Sequence, residues 1–152
     1  MMTPQLEPVC TFAIELTKPR ELGQTAAGTR RIIPIVGGAV TGARINGRIL
    51  GIGADWQTVD SDGVAQLDAR YAVETDDGAL IEVISQGMRH MAPEVAARAA
   101  AGEDVPFSDY YMRSFIRLES GHPDYAWVNR ALFLATGGKA GAVVSLSVYR
   151  IA

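Results

Sequence analysis

The sequence predicts a mainly β fold, an antiparallel β-barrel carrying one short helix. Three observations predict it. Apolar and polar residues alternate with a period of two over several short runs. Glycine-containing pairs suited to tight turns separate many of those runs. A single Ala-rich segment breaks the alternation and carries helix start and stop signals.

Taken in chain order, Cys10, Phe12, Ile14 and Leu16 alternate with Thr11, Ala13 and Glu15, which reads as a strand with one buried face. Asn46-Gly47, between Ala43–Ile45 and Arg48–Leu50, predicts a two-residue hairpin turn. Ile49–Ala54 reads as an apolar strand in which Gly51 and Gly53 let another group approach the backbone. Asp62-Gly63 marks a turn before the alternating run Ala65–Glu74, and Asp77-Gly78 predicts the hairpin to Leu80–Gln86. Ala92–Gly102 predicts a helix at about residues 93–101, with Pro93 in its first turn, Glu94 at the positive end of its dipole and Gly102 at its stop. A helix this short needs packing to persist, so it is expected over a barrel end. Further strands are expected at Tyr110–Glu119, Ala126–Ala135 and Ala142–Arg150, the last two separated by the glycine run 137–141. Closure into a barrel is preferred to a sandwich because it removes exposed strand edges. No linker or repeat interrupts residues 1–152, so one domain is expected.

Composition narrows the function. Hydrophobic residues make up 48% of the chain, enough to bury a core. The net charge of −3 argues against a nucleic-acid or membrane-surface partner, which calls for excess Lys and Arg. Cys10 is the only cysteine, and His90 and His122 lack ligand spacing, so neither a disulfide nor a metal site is expected. The segments Gly37–Gly42 and Gly51–Gly53 complete no phosphate-loop pattern and read as glycines at sheet bends, so no nucleotide cofactor is expected. There is no GxSxG elbow. The N-terminus has no signal-peptide pattern and no stretch reaches the length of a membrane helix, so a cytoplasmic address is expected.

The remaining signal lies in strand faces that mix aromatic and polar residues. Tyr111, Arg113, Phe115, Arg117 and Glu119 share one face, and Tyr110, Met112, Ser114, Ile116 and Leu118 the other. Trp127 and Asn129 share a face of the next expected strand, as Asp68 and Arg70 do of an earlier one. Asp55-Trp56 follows the Gly-rich strand. Such faces suit an enclosed, half-polar cavity. On that reading Asp55 and Asp68 are candidate bases, and Trp56, Arg70, Tyr111, Arg113, Trp127 and Asn129 are candidate substrate-binding groups. The structural alternative stands beside it: Asp68 and Arg70 as an exposed pair, Trp127 and Phe115 as core, Asp55 as a turn cap.

Together, Arg30–Gly38, Gly51–Gln57, Leu67–Tyr71, Thr75–Ala79, Gly87–Arg89, Tyr110–Arg113 and Tyr125–Arg130 resemble the bacterial and fungal family called domain of unknown function 3237, from about Phe12 to Tyr149. The resemblance implies a small lipocalin-like β-barrel, often a homo-oligomer. Most members of the family have no assigned activity, and a fungal branch is linked to cofactor-free ring closure by addition of a hydroxyl across an activated double bond. Met88 and Met112 depart from the family's common side chains. Three functions remain open: a cofactor-free enzyme of the addition, cyclisation or isomerisation type, a non-catalytic barrel that binds a small anionic or aromatic metabolite, or a structural or partner-binding subunit.

Overall fold

Ten strands build the chain in the computed structural model, which describes residues 1–152. They are β1 (Leu6–Leu16), β2 (Arg20–Thr25), β3 (Gly28–Gly42), β4 (Gly47–Ile49), β5 (Gly53–Val59), β6 (Ala65–Thr75), β7 (Leu80–His90), β8 (Tyr111–Glu119), β9 (Phe133–Ala140) and β10 (Val143–Ile151). Every pairing is antiparallel, in the order β1-β10-β9-β8-β7-β6. Strand β6 then pairs with both β4 and β5, which form one interrupted strand, and both of these pair with β3. Because β3 also pairs with β1, the sheet closes into an eight-stranded barrel. Strand β2 lies outside that ring as a hairpin arm on β3.

The period-two alternation decides which side chains turn inward. In β8 the buried residues are Met112, Ser114, Ile116 and Leu118, and all five on the opposite face, from Tyr111 to Glu119, are exposed. Phe12, Ile14, Val83, Ile116, Phe133, Leu146 and Val148 join one buried apolar cluster fed from most of the barrel strands. Each fully buried Phe or Ile removes enough apolar surface from water to contribute about 2–3 kcal/mol.

The two ends of the barrel differ. At one end a 3-10 segment, Pro123–Arg130, joins β8 to β9 and sends Tyr125 and Val128 into the core cluster. The Tyr125 hydroxyl donates to Asp77 Oδ1 at 2.8 Å, and Asn129 clasps Ser120 by accepting its N–H at 2.9 Å and donating to its C=O at 2.8 Å. Helix α1 (Pro93–Ala100) lies in the β7–β8 connection at the other end. Val95 anchors it to the core, but no residue of the helix lines the cavity described below.

Several local expectations are corrected. Ala126–Ala135 is not one strand. Its first part is the 3-10 segment and β9 begins at Phe133, because Pro123 starts a helical turn whose buried residues, Tyr125 and Val128, fall three apart. Asn46-Gly47 does not form a two-residue turn. The Asn46 side chain instead ties back to Gly42 N–H and C=O, closing a longer loop, and Gly47 opens β4. A side chain on Gly47 would collide with the Glu74 carbonyl, so close strand approach explains that glycine. Ile49–Ala54 is broken by a turn at Gly51-Ile52. Gly137 and Gly138 lie within β9, and the turn comes at Gly141. No helix is long and apolar enough to cross a membrane.

Candidate functional site

A cavity of about 460 Å³ opens into the barrel at the α1 end. Exposed Thr17, Lys18, Lys139 and Gly141 stand at its rim. Its lower wall is apolar, with Ile14, Ile33, Ile35 and Leu146 from β1, β3 and β10. Alternation along three strands delivers its polar groups: Arg31 precedes Ile33 and Ile35 on the inward face of β3, Asp55 and Gln57 share that of β5, and Ser85 and Arg89 that of β7. Across the β3–β5 pair, Arg31 Nε donates to Gln57 Oε1 at 2.7 Å, and Gln57 is almost wholly buried.

Asp55 is the one carboxylate among the lining residues. Burial raises its pKa above the ordinary carboxylate value, and the nearby Asp68 charge raises it further. The Asp68 N–H, which donates to Asp55 Oδ1 at 2.9 Å, opposes that rise, as do Gln57 and Arg89. Burial lowers the Arg89 pKa, and the neighbouring Arg31 charge lowers it further. The Lys139 ammonium is likewise held below its usual range, first by loss of water and then by Arg89 and Arg31. Deeper in the wall, the buried Tyr71 hydroxyl has no hydrogen-bond partner, and burial pushes its pKa upward. Cys10 is buried too, and its thiol is pushed up to about 12 by loss of water.

Of the residues expected at the site, only Asp55 lines this cavity. Trp56 follows it on the opposite face of β5 and is 47% exposed. Asp68 and Arg70 flank the inward Ala69 and point out, where Asp68 accepts a 3.2 Å hydrogen bond from Gln86. Tyr111 and Arg113 lie on the outer face of β8, with the Arg113 guanidinium 5.0 Å from the Tyr111 ring centroid. Trp127 packs edge-on against Phe133 at the opposite end, under Arg44 at 3.6 Å, and Asn129 serves the Ser120 clasp. The physical reason is common to the strand residues: the apolar stripe of each strand faces inward, so the aromatic and charged stripe faces out. Arg31, Gln57, Tyr71, Arg89 and Lys139 were missed. Their signal was a polar residue that continues an otherwise apolar stripe, as Arg31 continues Ile33 and Ile35.

Residues 4–151 match the model of the family described as protein of unknown function (DUF3237). The chain belongs to that family. A UPF0311 protein of Rhodopseudomonas palustris is 37% identical over 152 residues, covering 99% of each chain. A β-barrel-like protein of Acinetobacter baumannii, solved by crystallography, is 41% identical with a TM-score of 0.88, covering all of this chain and 98% of that one. An enzyme from Penicillium herquei shares the fold at 20% identity and a TM-score of 0.76, covering all of this chain and 97% of that one.

Proposed function

We propose that the barrel is a cofactor-free enzyme acting on a small organic molecule by proton transfer, with Asp55 as the general base. The observation that carries this reading is a lone, mostly buried carboxylate with a raised pKa, set among cations in a cavity large enough for a metabolite. A carboxylate shifted toward neutrality is a better base than an ordinary one, because it holds an accepted proton more tightly yet remains available to take it. In an addition, Asp55 removes the proton of a substrate hydroxyl as its oxygen bonds to the β-carbon of an activated double bond. The π electrons move onto the conjugated carbonyl oxygen, where Arg31 or Arg89 stabilises the enolate. Return of the proton to the α-carbon completes the addition. In an isomerisation the same base removes a C–H proton and the proton returns at another carbon. The barrel of the Penicillium herquei enzyme supports catalysis on this scaffold by fold alone.

The test uses the full chain incubated with small-molecule extracts. Intramolecular addition and isomerisation both conserve mass, so the expected product has the substrate's mass and a new chromatographic position. Asp55→Asn, which keeps an oxygen acceptor for the Asp68 N–H, is expected to abolish conversion while remaining folded. Undiminished conversion by that variant removes Asp55 from the chemistry. One observation favours a second reading, that of a barrel that binds without reacting: the Asp68 N–H engages Asp55 Oδ1 and gives the carboxylate a structural partner. A ligand retained and recovered unchanged, with no conversion in any extract, is the outcome expected of it.

A further inference from the structure

We infer that the cavity takes a carboxylate-bearing organic acid, with its acid group among Arg31, Arg89 and Lys139 at the mouth and its apolar body against the lower wall. The inference rests on the small-molecule reading above and names the substrate class. The cavity lining holds four cations, Lys18, Arg31, Arg89 and Lys139, and a single carboxylate, Asp55, in a chain whose net charge is −3. Positive charge is therefore concentrated in a concavity against the sign of the whole molecule. Walls of low polarity focus such a field rather than letting water disperse it.

The ion pairs of this protein are Arg48–Glu74, Arg98–Glu103, Arg98–Asp109 and Arg150–Glu7, none of which involves a cavity cation. Arg31 donates its Nε to neutral Gln57, while the Arg89 guanidinium and the Lys139 ammonium have no side-chain hydrogen bond within the chain. Elsewhere in the molecule Arg48, Arg98 and Arg150 each pair with a carboxylate. The cations thus converge from β3, β7 and β9 of one closed barrel, with the Arg89 and Lys139 donors and the terminal nitrogens of Arg31 unused. A guanidinium fork matches a carboxylate in a bidentate way, so an organic acid relieves both the mutual repulsion and the idle donors.

The enolate of the proposed reaction needs one such donor and exists only transiently. A resting anion on the substrate accounts for the others. The apolar wall of Ile14, Ile33, Ile35 and Leu146 selects against a bare inorganic anion, because filling it with carbon is what removes apolar surface from water.

Calorimetric titration of the full chain with trans-cinnamate, salicylate and octanoate tests the inference, with cinnamamide as the neutral isostere and inorganic phosphate as the body-less anion. At least one acid is expected to bind at one site per chain, and cinnamate about tenfold or more tighter than cinnamamide. Arg89→Ala is expected to weaken binding about tenfold, and Lys139→Gln, whose site is at the rim and tolerant of change, is expected to weaken it less. Asp55→Asn is expected to tighten it, because a like charge is removed. Equal affinity for cinnamate and cinnamamide, phosphate binding as tight as that of the acids, or no acid bound at millimolar concentration overturns the inference. So does unchanged affinity in both Arg89→Ala and Lys139→Gln. Since Asp55→Asn retains the acid site, loss of conversion and loss of acid binding are separate results, and the base and the acid pocket fail independently.

Discussion

The two ends of the barrel resolve their polar groups in opposite ways. At the Pro123–Arg130 end, Tyr125, Asp77, Thr75, Ser120 and Asn129 form a network in which each side chain has a partner, above a Val128 that is fully buried. At the cavity end, Arg89 and Lys139 lack acceptors, Asp55 is desolvated and Tyr71 keeps a bare hydroxyl. The first arrangement is one a fold uses to close itself. The second is locally unfavourable and persists because the rest of the barrel holds it, the arrangement on which the proposed acid site rests.

The largest effect that breaks the contrast belongs to the closed end. Phe133→Ala, beneath Trp127, is expected to cost about 3–5 kcal/mol in urea unfolding, because a fully buried ring leaves a cavity. A loss under about 1 kcal/mol would show that this end is not tightly packed.

Asn129→Ala should cost roughly 1–3 kcal/mol, since it leaves the Ser120 N–H and C=O without their clasp. Affinity for trans-cinnamate should not change.

Asp55→Asn sharpens the contrast from the other side. Its carboxyl pKa is raised on folding, so the folded state holds the proton more tightly and stability falls as pH rises from the unfolded value through the folded one. Removing the charge should therefore raise stability at pH 7 by roughly 1 kcal/mol, the trade-off seen at strained sites, and leave it nearly unchanged below the unfolded value. Thermal melts of both proteins at pH 3 and pH 7 measure this, and a variant less stable at pH 7 contradicts it. Asp77 behaves oppositely. Hydrogen bonds from Thr75 and Tyr125 hold its carboxyl below the ordinary value, so its contribution is present above the unfolded pKa and fades as pH falls through the folded one. Tyr125→Phe should flatten that acid limb of the stability profile.

The smallest effect is expected from Asp68→Asn on the outer face, within about 0.5 kcal/mol in stability. It should still lower the apparent pKa of any Asp55-dependent rate, because the Asp68 charge is among the causes that raise it. A change in acid affinity as large as that of Arg89→Ala would mean Asp68 reaches the cavity.

Most strands were legible because alternation is a local property. Ala65–Glu74 and Tyr110–Glu119 each lie within one residue of β6 and β8 at both ends, and the helix expected at about residues 93–101 is α1 at Pro93–Ala100. The strand expected at Ala126–Ala135 begins only at Phe133, because the residues around Trp127 are also compatible with a helical turn once Pro123 starts one. The site was legible only at Asp55. Its inward face could be inferred from Gln57 and the apolar strands around it, whereas Trp56, Tyr111 and Arg113 drew attention by chemistry while their strands turned them outward.

What the chain's own order of residues determined is the period-two pattern, the turn glycines at positions 63, 78 and 141, and hence a closed antiparallel barrel with an apolar interior. Those features depend on neighbours in sequence, through sterics and side-chain alternation. Which polar residues meet inside was decided only by tertiary structure. Arg31, Asp55, Arg89 and Lys139 come from four strands separated by tens of residues, and their register across the closed barrel, not their spacing along the chain, brings four charges into one cavity.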